Sequence, residues 1–213
     1  MTLSQKRPIK IGIMGGTFDP IHNGHLVTAE EALIQFDLDK VIFVPAGYPP
    51  HKEERKSLDP VERYLMTVIA TASNSDFEVS RIEVDRKGPS YTIDTISEFR
   101  EMYGGGTEIF FITGADAILE IITWRDADKL AGMCKFIAAT RPGYCLKKLK
   151  ELHVLPYENK EPEQGKPKIY IMEIPALAIS STDIRERVKE GLPIRYLVSE
   201  GVANYVLKCG FYR

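Results

Sequence analysis

Apolar positions in this chain fall into two kinds of run. One kind is short and nearly unbroken: residues 9–13, 41–44, 109–113, 136–139 and 169–172. Short runs rich in Val, Ile and Phe are the pattern of strands covered on both faces. The other kind recurs every three or four residues. Leu26, Ala29, Leu33 and Ile34 do so after Asn23; Val61, Leu65, Val68 and Ile69 after Asp59-Pro60; Ile93, Ile96 and Phe99 within 91–103; Val202, Val206 and Leu207 near the end. Each set predicts a helix with one apolar face. Residues 117–122 and 126–131 suit two shorter helices, and 77–84 alternates with period two, as an extended strand does. Gly15-Gly16, the turn-rich 45–52, Gly88-Pro89-Ser90, Gly104-Gly105-Gly106 and Arg141-Pro142-Gly143 punctuate these elements.

Strands alternating with helices predict an α/β fold, a Rossmann-like doubly wound parallel sheet with helices on both faces. In such a sheet ligands bind beyond the carboxyl ends of the strands. Gly15-Gly16, 45–52, Gly114-Ala115-Asp116 and Arg141 all follow expected strands, so the topology gathers them at one rim. The polar stretch 157–168 reads as an exposed, mobile loop inside a single domain spanning 1–213, with a helical C-terminal part from about 180.

Composition narrows the function. A formal net charge of −2 argues against a dedicated nucleic-acid binder, which carries a basic footprint. No apolar run has the length of a membrane span, and residues 1–8 lack a signal-peptide core. Cys134, Cys145 and Cys209 are odd in number and widely spaced, the usage of reduced, mostly buried thiols in a cytoplasmic protein. Whether the chain forms a homodimer is left open.

Two places carry candidate chemistry. The first is the passage from strand to helix at residues 9–25, where His22 and His25 converge on a helix start. A helix start offers unpaired N–H groups and partial positive charge, both suited to a phosphate. The second is Ser180-Ser181-Thr182 at the start of a later helix. These hydroxyls are capping residues in the first instance; Arg185, one turn on, makes the same place a second anion site. Two such sites suggest an elongated polyphosphate held between them. No Gly-Lys-Ser/Thr follows the glycine pair, which speaks against a P-loop.

Gly15-Gly16-Thr17-Phe18-Asp19-Pro20 with His22-x-Gly24-His25, and Ile179-Ser180-Ser181-Thr182-x-Ile184-Arg185, resemble the two signatures of the nucleotidyltransferase superfamily. Three further stretches are similar to the nicotinic acid mononucleotide adenylyltransferases: Pro49-Pro50-His51-Lys52, Ser90-Tyr91-Thr92-x-Asp94-Thr95, and Gly114-x-Asp116 followed by Trp124. The resemblance runs from Ile9 to near the end of the chain. It implies ATP and phosphate binding by Gly15, Gly16, Thr17, Phe18, Ser181, Thr182 and Arg185. It implies a catalytic group of His22, His25, Lys52 and Arg185, and a nicotinate nucleotide site of Lys52, Thr92, Asp116, Trp124 and Arg141, with the indole on the pyridine ring.

The reaction so implied joins ATP and nicotinate mononucleotide to give nicotinate adenine dinucleotide and pyrophosphate. Mg²⁺ would come with ATP, held mainly by substrate oxygens and water rather than by an all-protein cage. Phosphopantetheine or a cytidylyl acceptor would use the same two signatures. A sensor that binds nucleotide without transfer, and a metal hydrolase built on the histidines, are the rivals from other classes.

Overall fold

The computed structural model describes residues 7–48, 57–120, 124–140, 168–175 and 178–213. Lys52 and Arg141, Cys145, and nearly all of the polar stretch 157–168 lie outside the described residues. In chain order the elements are β1 (Lys10–Gly16), α1 (Asn23–Gln35), β2 (Lys40–Pro45), α2 (Pro60–Thr71), β3 (Phe77–Val79), α3 (Thr92–Tyr103), β4 (Glu108–Gly114), α4 (Ala115–Ile118), α5 (Ala127–Met133), β5 (Lys135–Thr140), β6 (Ile169–Glu173), α6 (Ser181–Lys189) and α7 (Glu200–Cys209).

Among the described residues the six strands make one sheet in the order β3-β2-β1-β4-β5-β6, with every pairing parallel. The strand order reverses between β1 and β4, so the crevice at their carboxyl ends is the topological switch point. Alternate residues feed two cores. Met14, Phe43, Phe110, Ile112 and Ile137 pack against α1, α2, α6 and α7, whereas Ile13, Ile42, Phe111 and Phe136 pack against α3, α4 and α5. Full burial of a ring such as Phe43 or Phe136 contributes about 1.5–3 kcal/mol. The doubly wound sheet expected from the sequence is present.

Local chemistry sets the helix ends. The Asp59 carboxylate accepts the Val61 N–H at 2.8 Å, with Pro60 in the first turn of α2. The Ser180 hydroxyl accepts the Asp183 N–H at 3.1 Å and caps α6. Gly104 and Gly210, both at positive φ, follow α3 and α7.

Several boundaries and faces differ from the sequence expectation. β1 does not break before its glycines; both stay paired, Gly15 beside Val44 and Gly16 beside Pro45, and the chain turns beyond them at Asp19-Pro20. β3 ends at Val79 because it is an edge strand held only by β2; beyond it the chain turns, closed by the Asp85 N–H donating to the Arg81 carbonyl. The helix expected at 117–122 begins earlier, at Ala115. On α2 most of the expected inner face lies outside: Val61, Leu65 and Val68 are exposed, Ile69 alone of the four packs on the core, and Arg63, Met66, Thr67, Ala70 and Thr71 are buried. The buried polar side chains of α2 all find partners: Arg63 donates to three carbonyls, and Thr67 and Thr71 donate to carbonyls one turn back at 2.8 and 2.9 Å. Ile34 and Leu207, expected on inner faces, are exposed, as is Cys209; Cys134 is buried.

Candidate active site

The turn leaving β1 is held from outside. The Thr17 carbonyl accepts from Arg63 Nη1 at 2.6 Å, the Asp19 carbonyl from Arg185 Nη1 at 2.6 Å, and the Pro20 carbonyl from Ser181 Oγ at 2.9 Å. The Asp19 carboxylate is buried and accepts from the Tyr212 hydroxyl at 2.7 Å. The two sequence signatures thus meet directly, α6 docking on the turn that precedes α1.

That turn delivers the histidines. His22 is the N-cap residue of α1 and His25 lies in its first turn; their rings stack with centroids 3.7 Å apart. His25 Nδ1 accepts the His22 backbone N–H at 3.2 Å. A neutral imidazole that accepts on Nδ1 carries its proton on Nε2, so its remaining polar atom is a donor. Burial, reinforced by His22 alongside, holds the His25 pKa well below the ordinary 6.5, which keeps that neutral form at physiological pH. The Phe18 ring stands edge-on behind His25 at 5.0 Å and is itself buried in the core. Any ligand contact at Phe18 is therefore made by its backbone.

These groups open on a cleft of about 520 Å³ at the switch point. Gly15, His22, His25, Asp116 and Ser181 line it, brought from β1, α1, α4 and α6. Met14, Thr28, Ile112, Ile174 and Ile179 add apolar and hydroxyl wall that the sequence did not single out. Gly16, Thr17, Thr182 and Arg185 adjoin lining residues in the chain or on α6 but do not themselves line the cleft. Arg185 is engaged at Asp19 and also donates to Thr182 Oγ1 at 3.1 Å.

Thr92 and Trp124 lie on the other side of β1. Gly15 links the two sides: a Cβ there would stand 3.2 Å from the Phe111 ring, and Trp124 meets that ring edge-on at 5.8 Å. Trp124 is half-buried against the second core. Next to it, Arg125 lies over the Tyr91 ring at 4.7 Å and 4.0 Å from the Asp94 carboxylate, which brings the turn at Trp124 to the start of α3, where Thr92 is the first residue. The approach to α3 is fixed from β2: a Cβ on Gly47 would fall 2.1 Å from the Glu83 carbonyl oxygen, and Tyr48 and Ser90 exchange bonds of 2.9 and 3.3 Å. Glu83 is buried and accepts from Thr95 at 2.6 Å; burial raises its pKa.

Arg63 and Tyr212 were missed from sequence, and Asp19 entered only as a member of the first signature with no role of its own. Arg63 is 0 % exposed and spends its guanidinium on the carbonyls of Leu58, Thr17 and Gly47. Its only sequence trace is its spacing with Met66, Thr67 and Ala70, a face that reads as mixed. Among the described residues no group of three or more His, Cys, Asp or Glu side chains is placed to hold a metal ion, and no helix is long and apolar enough to cross a membrane.

Fold and cleft together define an α/β protein of doubly wound type with a candidate ligand site at the switch point of the sheet. The cytidylyltransferase-like family pattern matches residues 13–187. The chain is 58% identical to the "probable nicotinate-nucleotide adenylyltransferase" of Moorella thermoacetica, over 97% of this chain and 93% of that one. It is 56% identical to the protein of the same name in a Thermoanaerobacter species, over 98% and 96%. The nicotinic acid mononucleotide adenylyltransferase of Plasmodium falciparum, solved in complex with NaAD, superposes with a TM-score of 0.74 at 20% identity, covering 96% of this chain and 97% of that one, which establishes the shared fold. The chain belongs to the nicotinate-nucleotide adenylyltransferases of the cytidylyltransferase-like family.

Proposed function

We infer that the protein transfers the adenylyl group of ATP to nicotinate mononucleotide, releasing pyrophosphate and forming nicotinate adenine dinucleotide, a step of NAD biosynthesis. The observation that carries this reading is the meeting of two anion-suited helix starts, α1 with His22 and His25 and α6 with Ser181, on one cleft. An oxygen of the mononucleotide phosphate attacks the α-phosphorus of ATP; the bond to the bridging oxygen breaks, and pyrophosphate leaves. The nucleophile is already an anion, so no general base is required. What remains is alignment and neutralisation of charge.

His25 donates from Nε2 to an α-phosphate oxygen, with His22 beside it. Ser181, Thr182 and the N–H groups opening α6 take the outer phosphates, with Arg185 adding positive charge behind them. Gly15, Gly16 and Thr17 offer backbone to ATP. Lys52 and Arg141 serve the mononucleotide, with Thr92 and Trp124 at the pyridine ring and Asp116 at ribose. Mg²⁺ supplied with ATP would screen the polyphosphate charge, and Asp116, the one carboxylate among the described residues lining the cleft, would suit a water-mediated contact to it better than a cage. The setting is cytoplasmic, with both substrates small and diffusible, and a homodimer is compatible with this chemistry.

The test is to supply ATP with nicotinate mononucleotide, nicotinamide mononucleotide or phosphopantetheine in separate reactions and measure pyrophosphate. Release with nicotinate mononucleotide well above the other two is expected. Release only with phosphopantetheine, or with none, overturns the reading.

A further inference from the structure

A largely buried polar cluster lies outside the lining of the cleft. Asp19, Arg63, Arg185 and Tyr212 converge under the turn between β1 and α1. The three arginine and serine bonds described above hold main-chain carbonyls of that turn. Tyr212 is different, because it holds a side chain. Its hydroxyl donates at 2.7 Å to Oδ1 of Asp19, whose Oδ2 is 3.9 Å from Arg185 Nη1. Asp19 is three residues before His22, and the intervening Ile21 is 0 % exposed, so the strain of any shift at Asp19 passes to the histidines with little room to dissipate.

Tyr212 is itself placed firmly. Its ring packs at 6.3 Å on Phe211 and belongs to the fringe of the core that α1, α2 and α7 share with the sheet. Burial, with the Asp19 charge next, pushes its phenol far up, so the hydroxyl stays a donor throughout any working pH range. A buried carboxylate deprived of a donor costs more than the bond was worth, and the local backbone rearranges to recover a partner.

We propose that Tyr212 is a positioning residue for the reaction, acting through the Asp19 carboxylate to fix the turn that aims His22 and His25. It touches no substrate. The proposal rests on the adenylyl-transfer reading for its kinetic readout. Its second readout does not.

Tyr212→Phe removes one hydroxyl and keeps the ring. Tyr205→Phe is the matched control: its hydroxyl donates at 2.6 Å to Glu62, joining α7 to α2, and makes no bond to Asp19. Both variants and wild type are assayed for kcat and for KM of each substrate, with thermal melts alongside. For Tyr212→Phe, kcat should fall about tenfold with both KM values within about twofold, as for a slightly misaimed rather than absent donor. Tyr205→Phe should keep wild-type kcat even where its melting temperature drops equally. In parallel, imidazole resonances of His22 and His25 are followed by NMR without substrate. They should move in Tyr212→Phe and stay in Tyr205→Phe. Unchanged kcat in Tyr212→Phe, or equal kcat losses in both variants, overturns the proposal. Should wild type release no pyrophosphate, the functional reading fails, and the imidazole comparison alone decides: unmoved resonances in Tyr212→Phe refute the positioning role.

Discussion

The two sides of the β1 exit are built differently. On the side of α1 and α6, the turn and the histidines are held by short bonds from side chains to main-chain carbonyls, made by groups that are half-buried or fully buried. On the side of α3 and Trp124, the described contacts are ring edges, a cation over a ring, and an ion pair at 4.0 Å between side chains 55% and 43% exposed. The first side is preorganised, and the second can adjust. That division fits the chemistry proposed for each. Stabilising charge that develops at phosphorus needs donors fixed before the reaction, whereas gripping a flat ring needs area and tolerates small shifts.

If the fixed side carries the chemistry, His25→Ala should give the largest loss, about a hundredfold or more in kcat, as for removal of a preorganised donor. Melting should stay near wild type, since the residue lines the cleft. The lowered pKa of His25 adds a pH signature. Between pH 6.5 and the lower folded value the unfolded chain binds a proton that the folded one refuses, so stability falls as pH falls through that window and is unaffected by this group above it. His25→Ala should flatten that part of a melting-temperature profile.

Next in size is Arg185→Ala. The sequence suggests an ATP ligand that also belongs to the catalytic group; the structure adds that its guanidinium holds the Asp19 carbonyl. The expected result is a rise of about tenfold in KM for ATP together with a fall in kcat, because losing a charge-assisted bond costs about 1.5–3 kcal/mol. A pure KM effect would confine Arg185 to binding and weaken the idea that this side is braced.

On the adjustable side, Trp124→Ala should weaken nicotinate mononucleotide binding by about 0.5–1.5 kcal/mol beyond lost contact area and leave ATP binding unchanged, read by titration with each substrate. A normal mononucleotide affinity in a stable variant would remove the stacking role. The smallest effect belongs to Arg125→Ala, within about 0.5 kcal/mol in stability by denaturant melt, since exposed pairs contribute little. A large loss there would mean that both sides are rigid, and the contrast would collapse.

The sequence made the sheet and both signatures legible, because unbroken apolar runs and capped helix starts are local signals. It misplaced the α2 core face. Periodicity favoured Val61, Leu65 and Val68, whereas the side facing the sheet carries Arg63 and two threonines whose polar atoms find carbonyls. It stopped β1 at Gly15-Gly16, since composition cannot tell a glycine that turns from one that makes room for Phe111. Arg63, Tyr212 and the part Asp19 plays with them went unseen for another reason. Their partners are distant in the chain, and nothing local distinguishes a bracing tyrosine from a packed one.

The distance of those partners bears on when the molecule becomes competent. The Pro20 and Asp19 carbonyls and the Asp19 carboxylate find their donors 161, 166 and 193 residues later. A chain emerging from the ribosome carries both histidines within its first 25 residues, at a stage when contacts this remote in sequence do not yet exist. When synthesis has reached Glu173, all six strands are present and Arg63 alone of the four braces has been made. Competence therefore arrives late and abruptly, as the last two helices and Tyr212 close over a turn laid down near the beginning.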